Sequence, residues 1–276
     1  MSKLVYKNKE YIFDEKQVGE VLYLSYPLLE KTGLVKHGFS TRIGGVSEGI
    51  YSSMNLSFTR GDADSAVREN YRRMAKALDV REDSFVFSAQ THTTNVYKVT
   101  LDNRNEKLQD VDGLITNVPE LCLVTSYADC VPLYFVDPVH RAIGLSHSGW
   151  RGTVGKIGEV TLRKMADEYG TRAEDVIAAI GPSICQDCYE VSEDVIDKFS
   201  ETFDSKHWDD LFYQKANKKY QLNLWKANEI ILSEAGVRRE NIAVTNVCTN
   251  CNPDILFSHR ASKGQRGGLA AFMALK

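Results

Sequence analysis

Hydrophobic and polar residues in the middle of the chain follow a pattern typical of short strands. From residue 113 to residue 146, blocks rich in β-branched and aromatic residues are separated by turn-forming residues such as Asp137 and Pro138. Similar blocks occur before and after this region. The strands that they predict are 35–40, 84–87, 95–99, 113–116, 121–126, 131–137, 141–146, 175–180, 242–247 and 269–273.

Four other segments have the three-to-four-residue spacing of amphipathic helices. In the first of them, Val67, Tyr71, Met74 and Leu78 fall on one face. The predicted helices are 62–79, 153–169, 192–203 and 223–235. Helices and strands alternate irregularly, which favours an α+β or mixed α/β fold over a regular parallel sheet. Since no linker or repeat interrupts residues 1–276, we expect a single domain.

Composition and charge narrow the range of partners. The 276 residues carry a net charge of −3, which argues against a broad surface for nucleic acid or membrane binding. Neither a signal-peptide core nor a membrane-spanning apolar run is present, so we expect a cytoplasmic protein. Six cysteines are too few to indicate a disulfide scaffold at this length. The composition leaves the oligomeric state open.

Many short motifs recur in the order known from one family. They are His37-Gly38-Phe39-Ser40-Thr41-Arg42, Gly44-Gly45-Val46-Ser47, Asn55-Leu56, Gly61-Asp62, Gln90-Thr91-His92, Asp112-Gly113-Leu114-Ile115-Thr116, Ala128-Asp129-Cys130-Val131-Pro132, His147-Ser148-Gly149-Trp150-Arg151-Gly152, Gly181-Pro182-Ser183-Ile184, Cys188-Tyr189-Glu190-Val191, Cys248-Thr249 and Phe257-Ser258-His259-Arg260. Through them, almost the whole chain resembles the YfiH-like proteins, also called laccase-domain or multicopper polyphenol oxidase-like proteins.

This resemblance implies a fold, a metal site and an activity. The fold is a layered α/β sandwich with mixed sheets, and the metal lies in a surface pocket. The family's histidine, cysteine and histidine ligands correspond to His92, Cys130 and His147, a zinc set that leaves a fourth position open. The implied activity is phosphorolysis of the purine nucleosides adenosine, inosine and methylthioadenosine, with inorganic phosphate as co-substrate, and deamination of adenosine. Ser148 stands where the family usually has alanine and adds a hydroxyl near the metal.

The strand pattern independently supports part of this ligand set. Cys130 begins one predicted strand and His147 ends the next, and a short turn at Asp137-Pro138 joins the two. In an antiparallel pair joined in this way, the two positions lie side by side. Copper is a weaker candidate than zinc, because the chain has only six histidines and no His-x-His pair, whereas several coppers need many histidine ligands.

Two other interpretations of the same residues remain open. Cys130 could be the nucleophile of a metal-free cysteine hydrolase, with His147 as its base and Asp129 orienting a histidine. The family's link to peptidoglycan editing would make cell-wall precursors its substrates. Alternatively, the zinc is structural and the protein is a binding module without catalytic activity.

Further polar residues are candidates for substrate contacts. The arginines Arg42 and Arg151 suit a phosphate or a carboxylate, although each could equally form a structural salt bridge. The start of the helix beside Arg151 is a second candidate anion site. His259 and Arg260 line the pocket by resemblance or form a buried hydrogen-bonding pair.

A second group of cysteines has the spacing of a structural zinc site. It consists of two Cys-x-x-Cys pairs, Cys185 with Cys188 and Cys248 with Cys251. The family resemblance covers only Cys188 and Cys248. The alternative is four small buried thiols packed close together.

Overall fold

The computed structural model describes residues 4–276, and strands dominate it. The strands are β1 Asp14–Val18, β2 Val21–Ser25, β3 Val35–Ser40, β4 Phe85–Phe87, β5 Val96–Lys98, β6 Gly113–Thr116, β7 Cys122–Tyr127, β8 Val131–Asp137, β9 Ala142–Ser148, β10 Ile177–Ile180, β11 Glu190–Val191, β12 Phe212–Gln214, β13 Tyr220–Leu222, β14 Ile242–Val244 and β15 Leu269–Leu275. The α-helices are α1 Pro27–Glu30, α2 Asp64–Leu78, α3 Trp150–Val154, α4 Ile157–Tyr169, α5 Glu193–Thr202, α6 Trp208–Leu211 and α7 Leu224–Glu234.

Two six-stranded mixed sheets form the centre of the fold. The first has the order β1-β2-β3-β15-β7-β4, and the second has the order β14-β10-β8-β9-β6-β5. A third, three-stranded sheet has the order β11-β13-β12. The two large sheets face each other across the largest hydrophobic cluster, to which Phe39 and Met273 contribute from the first sheet and Tyr134 and Leu145 from the second.

The central strands are apolar on both faces because both faces are covered. In β7, Leu123 and Tyr127 point into the space between the sheets, whereas Cys122 and Val124 point outward to α2. Burial on both faces is complete in β8 and β9 and nearly complete in β7, where only Ser126 is exposed, which explains why these strands read as hydrophobic runs. Helices α4, α5 and α7 cover the outer face of the second sheet. The result is a layered α/β sandwich with mixed sheets, as predicted.

The predicted helix 153–169 is wrong in its first part. The structure has two helices, α3 and α4, which are separated by Gly155 and by Lys156 in the left-handed conformation, with φ of 55°. A Cβ at position 155 would lie 2.5 Å from Cγ2 of Thr94, so the chain passes close to the segment that follows His92. This tertiary contact, and not local propensity, sets the break.

The remaining predicted elements are present with small shifts of their ends. The predicted strand 242–247 ends at Val244, and the predicted strand 269–273 continues to Leu275. The hairpin of β1 and β2 and the third sheet were not predicted. Among residues 4–276, the structure has no helix of the length and apolar character needed to cross a membrane.

Candidate metal centre

The structure brings His92, Cys130 and His147 together at one end of the second sheet. One ligand atom from each lies within 4.8 Å of the others, and Cys130 Sγ is 3.8 Å from His92 Nε2. Cys130 directly precedes β8, and His147 lies near the end of β9, where it pairs with Pro132. The predicted antiparallel pairing therefore places Cys130 and His147 side by side.

A buried carboxylate that we did not predict holds this group in place. Asp112 is fully buried, and its Oδ1 is 2.8 Å from Nδ1 of His147. The same carboxylate accepts hydrogen bonds from the backbone N–H groups of Thr91, His92 and Thr93, at 3.1, 3.0 and 2.8 Å. With its Nδ1 proton donated to Asp112, His147 keeps Nε2 available for a metal ion. Asp112 thus orients the ring of His147 and the backbone of His92.

Backbone conformation also shapes the site. His92 has a φ of 67°, a left-handed conformation that the hydrogen bonds to Asp112 maintain. Gly149, which follows β9, packs directly against the site. A Cβ at position 149 would lie 2.8 Å from Cδ2 of His92 and 3.2 Å from Sγ of Cys130. Only glycine fits there without a shift of the two side chains.

Replacement of Gly149 by alanine is expected to displace the His92 ring. The rate of a reaction catalysed at this site should then fall by a factor of roughly 10–100, since misplacement of a catalytic group by about 1 Å can have that effect. The backbone φ of −72° suits alanine, so the thermal unfolding temperature should change little. Gly158→Ala on α4 is the control, because its added methyl meets the movable side chain of Leu232. Equal turnover in the two variants would show that the close approach at Gly149 is unimportant.

Without a metal ion, the site favours separated charges. Burial opposes ionisation of the Cys130 thiol, but His147 and His92 outweigh it and lower the pKa of Cys130 to about 6. Burial also disfavours a charged His147, but Cys130 and Asp112 outweigh it and raise the pKa of His147 to about 9. Burial would raise the pKa of Asp112, yet hydrogen bonds from His147 and Thr93 lower it to about 2. Cys130 is therefore a thiolate at neutral pH, the form that binds metals or attacks carbon.

Asp129 is tied to other loops and not to a histidine. Its Oδ1 accepts a 2.6 Å hydrogen bond from the hydroxyl of Thr249, and its Oδ2 accepts a 2.7 Å bond from the backbone N–H of Arg260. The carboxylate in contact with His147 is Asp112, so Asp129 does not have the orienting position expected for it. Its contacts anchor the loop that carries Cys130.

The hydroxyl of Ser148 is hydrogen-bonded to neighbouring helices and is not directed at the metal centre. Its buried hydroxyl is 2.8 Å from Oδ1 of Asn228 on α7 and 2.9 Å from Oγ1 of Thr153 on α3. These contacts join β9 to two helices. The departure from the family pattern therefore leaves the three candidate ligands undisturbed.

The two arginines predicted to contact substrate differ in how many of their guanidinium N–H groups are already hydrogen-bonded within the protein. Arg42 donates to the carbonyls of Ser52 and Pro253, at 2.7 and 2.8 Å, and lies over the ring of Phe257. Arg151 is exposed, and its guanidinium stacks on Trp150 at 4.3 Å. Arg151 therefore remains able to bind an anion, whereas two donors of Arg42 are engaged with backbone carbonyls.

The predicted pair His259 and Arg260 does not form a buried hydrogen-bonding pair. Arg260 is exposed and donates to the carbonyls of Cys188 and Glu190, at 3.3 and 3.1 Å. His259 is also largely exposed, but partial burial of its ring and the charge of Arg266 lower its pKa. Both residues lie near Asp129, beside the metal centre.

Arg266 was missed by the sequence analysis. Burial and the charge of Arg60 lower its pKa to about 10, against the opposing effect of Asp129 and Cys130. Its NH1 donates to the carbonyl of Gly267, but its buried Nε has no hydrogen-bond partner among the described residues. Arg266 also lines a cavity of about 240 Å³. The residues that line this cavity are Arg42, Ile50, Pro253, Phe257, Ser258, Ala261, Ser262, Gln265 and Arg266.

The four cysteines of the second predicted site also converge. The sulfur atoms of Cys185, Cys188, Cys248 and Cys251 all lie within 4.8 Å of one another. This cluster and the trio of His92, Cys130 and His147 are the two groups among residues 4–276 with the composition and spacing to hold a metal ion.

Comparison with known proteins identifies the family of this chain and several of its relatives. The family model described as multi-copper polyphenol oxidoreductase laccase matches residues 36–276. The chain belongs to this laccase family. It is 36% identical over 246 residues to a Bacillus subtilis protein named purine nucleoside phosphorylase YlmD, covering 87% of this chain and 88% of that protein. A Bacteroides thetaiotaomicron protein named purine nucleoside phosphorylase is 36% identical over 245 residues, covering 86% and 90%.

Solved structures of the laccase family confirm the fold. YlmD from Geobacillus stearothermophilus superposes with a TM-score of 0.89 at 32% identity, covering 96% of this chain and 99% of that one. The YfiH protein of Bacillus licheniformis gives a TM-score of 0.87 at 32% identity, covering the same shares. The family description names copper, whereas the relatives from Bacillus subtilis and Bacteroides thetaiotaomicron are named purine nucleoside phosphorylases.

Proposed function

We propose that this laccase-family protein is a zinc-dependent purine nucleoside phosphorylase. The observation that carries the proposal is the convergence of His92, Cys130 and His147, with Asp112 buried behind them. The names of the relatives support the reaction class. The substrates would be a purine nucleoside and inorganic phosphate.

The trio fits a zinc ion. Zinc binds thiolate at about 2.3 Å and imidazole at about 2.0–2.1 Å, so a tetrahedral site separates sulfur from nitrogen by about 3.6 Å. The distance between Cys130 Sγ and His92 Nε2 is 3.8 Å. Three protein ligands leave a fourth position, where bound zinc would act as a Lewis acid or lower the pKa of a water molecule. A carboxylate that accepts a hydrogen bond from the other ring nitrogen, as Asp112 does from His147, is typical of histidines that bind metal ions.

Basic side chains beside the trio would hold the phosphate. Arg266 has a free buried Nε, and Arg151 and His259 lie near the same site. In phosphorolysis, a phosphate oxygen forms a bond to the anomeric carbon of the ribose while the bond from that carbon to the base breaks. The electron pair leaves with the base, which takes up a proton. Fixed positive charges stabilise the incoming anion without reorganisation.

Replacement of Arg266 by methionine is expected to raise the KM for phosphate by a factor of roughly 10–100, because a charged hydrogen bond contributes about 1.5–3 kcal/mol. The exposed Arg163→Met variant on α4 removes the same charge away from the site and serves as the control. Phosphate kinetics at saturating nucleoside give the comparison. A KM for phosphate equal to that of the control would remove Arg266 from the phosphate site.

The proposal extends to adenosine, inosine and methylthioadenosine as phosphorolysis substrates and to adenosine deamination. In deamination, an oxygen from water adds to C6 of the base and ammonia leaves, which yields inosine. Incubation with each nucleoside, with and without phosphate, separates the two reactions. Free base and ribose 1-phosphate that form only with phosphate indicate phosphorolysis, and inosine formed without phosphate indicates deamination. Neither product from any of the three nucleosides would overturn the proposal.

A second candidate function is supported by the alignment of Cys130, His147 and Asp112. A thiol, an imidazole and a buried carboxylate in this order also form the catalytic group of cysteine hydrolases. In that case Cys130 would attack an amide carbonyl of a peptidoglycan precursor, the amine would leave with a proton from His147, and water would release the acyl group. Activity on such precursors that survives metal removal but not alkylation of Cys130 would favour this function over the first.

A further inference from the structure

The four cysteines outside the candidate metal centre enclose a space of the size of one metal ion. Their sulfur atoms lie within 4.8 Å of one another, and Sγ of Cys188 is 3.5 Å from Sγ of Cys251. A single zinc ion with four thiolates at about 2.3 Å separates the sulfurs by about 3.8 Å. Iron–sulfur clusters with several irons need wider spacing. The cluster therefore matches a mononuclear, tetrahedral site.

The backbone around the cluster holds the sulfurs in this arrangement. The N–H of Cys188 donates to the carbonyl of Cys185 at 3.1 Å, which forms the tight turn of a Cys-x-x-Cys pair. The N–H of Cys185 is 3.2 Å from Sγ of Cys248, a contact that favours thiolate sulfur. Ser183 and Cys248 form a parallel bridge, which joins the two segments. Both halves of the site are thus fixed by the main chain.

Burial and charge at the cluster also suit a bound cation. Cys185 and Cys248 are 2% and 0% exposed, and hydrophobic side chains, among them Trp225, surround the cluster. Lys7 lies near Cys185 and Cys251, and its ammonium is 2.7 Å from Oδ2 of Asp187. Four thiolates around a divalent ion leave a net negative charge, and the ammonium of Lys7 lies close enough to interact with it, although Asp187 also pairs with Lys7.

We propose that Cys185, Cys188, Cys248 and Cys251 bind one structural Zn²⁺ ion. Four protein ligands close the coordination sphere, so this ion has no position for a substrate. Its role is to join two chain segments that lie 63 residues apart.

The proposed ion lies next to the loop of the candidate metal centre. Thr249, between two of the cysteines, donates to Asp129 at 2.6 Å, and the N–H of Ile184 donates to the carbonyl of Asp129 at 3.0 Å. Asp129 directly precedes Cys130. The ion therefore stabilises the segments on which the position of Cys130 depends.

The test counts zinc in a Cys130→Ala variant, so that its result does not depend on the proposed function. We expect one zinc per chain in Cys130→Ala and none in the triple variant Cys130→Ala/Cys188→Ser/Cys251→Ser, which alters the two half-buried ligands. The control Cys130→Ala/Cys122→Ser changes a cysteine that belongs to neither cluster and should retain one zinc. The triple variant should also unfold at a lower temperature.

A spectroscopic measurement keeps the proposal testable if the triple variant does not fold. Co²⁺ added to zinc-depleted Cys130→Ala protein should bind one per chain and give the intense charge-transfer absorption of a four-thiolate site. Absence of zinc and of cobalt binding, with all five remaining cysteines titrating as free thiols in the denatured protein, would overturn the proposal. Disulfide bonds detected by mass spectrometry, or iron in place of zinc, would overturn it as well.

Discussion

Replacement of Cys130 by alanine is expected to lower nucleoside phosphorolysis at least about 1,000-fold and to remove the metal ion from the trio. The thiolate is the one anionic ligand of the set, and a metal that stabilises charge in the transition state contributes several kcal/mol. Steady-state kinetics together with zinc content per chain give the result. Because Cys130 is not fully buried and alanine keeps its Cβ, circular dichroism should show an intact fold.

The matched control for this prediction is Cys122→Ala. Cys122 is buried on β7 and points away from the metal centre, so this variant loses a thiol without losing a ligand. It should keep its turnover and its zinc. A Cys130→Ala variant that folds, loses the zinc ion of the trio and still carries out phosphorolysis at the wild-type rate would show that this metal ion is not needed for the reaction.

Replacement of Asp112 by asparagine is expected to lower zinc affinity at the trio by a factor of roughly 10–100, the usual effect of removing a carboxylate behind a histidine ligand. The asparagine NH₂ would face N–H donors of the His92 loop, so unfolding should also require about 1–3 kcal/mol less. Competition with a zinc-binding dye measures the affinity, and urea denaturation measures the stability.

The neighbouring Asp110→Asn variant is the control for Asp112. Asp110 is exposed, and its Oδ1 accepts a hydrogen bond from the hydroxyl of Thr91 at 2.8 Å, without contact to His147. Its zinc affinity should equal that of the wild type. An Asp112→Asn variant that binds zinc as tightly as this control would contradict the role assigned to the carboxylate.

The pairing of β8 with β9 could be predicted from the sequence because it is local. The turn at Asp137-Pro138 fixes an antiparallel hairpin, and the hairpin fixes the positions of Cys130 and His147. His92 joins them from a distant segment, and only the family resemblance identified it. Local pattern therefore explains two of the three converging residues.

Asp112 and Arg266 show what a single sequence does not reveal. Asp112 lies in a family motif and directly before a strand, but the five hydrogen bonds of its carboxylate come from four residues in two other segments. Arg266 lies in a polar stretch near the end of the chain, and its place beside the cavity depends on how distant segments fold around it. Neither position has a local signal beyond its residue type.

The errors in the predicted elements have a similar cause. The break between α3 and α4 depends on the approach of Gly155 to Thr94, a contact between distant segments. The unpredicted strand β1 is mostly exposed, so it lacks the apolar alternation of a buried strand and is held by pairing with β2. Burial on both faces made the central strands the most predictable part of the fold.

The most direct test of the central claim is the formation of ribose 1-phosphate from adenosine by the wild-type protein. The assay compares protein as purified, protein stripped of metal by a chelator, and stripped protein to which zinc has been returned, each with and without phosphate. We expect ribose 1-phosphate only with phosphate, its loss on stripping, and its return with zinc. Phosphorolysis that continues unchanged in the stripped protein, or no ribose 1-phosphate under any condition, would contradict the account.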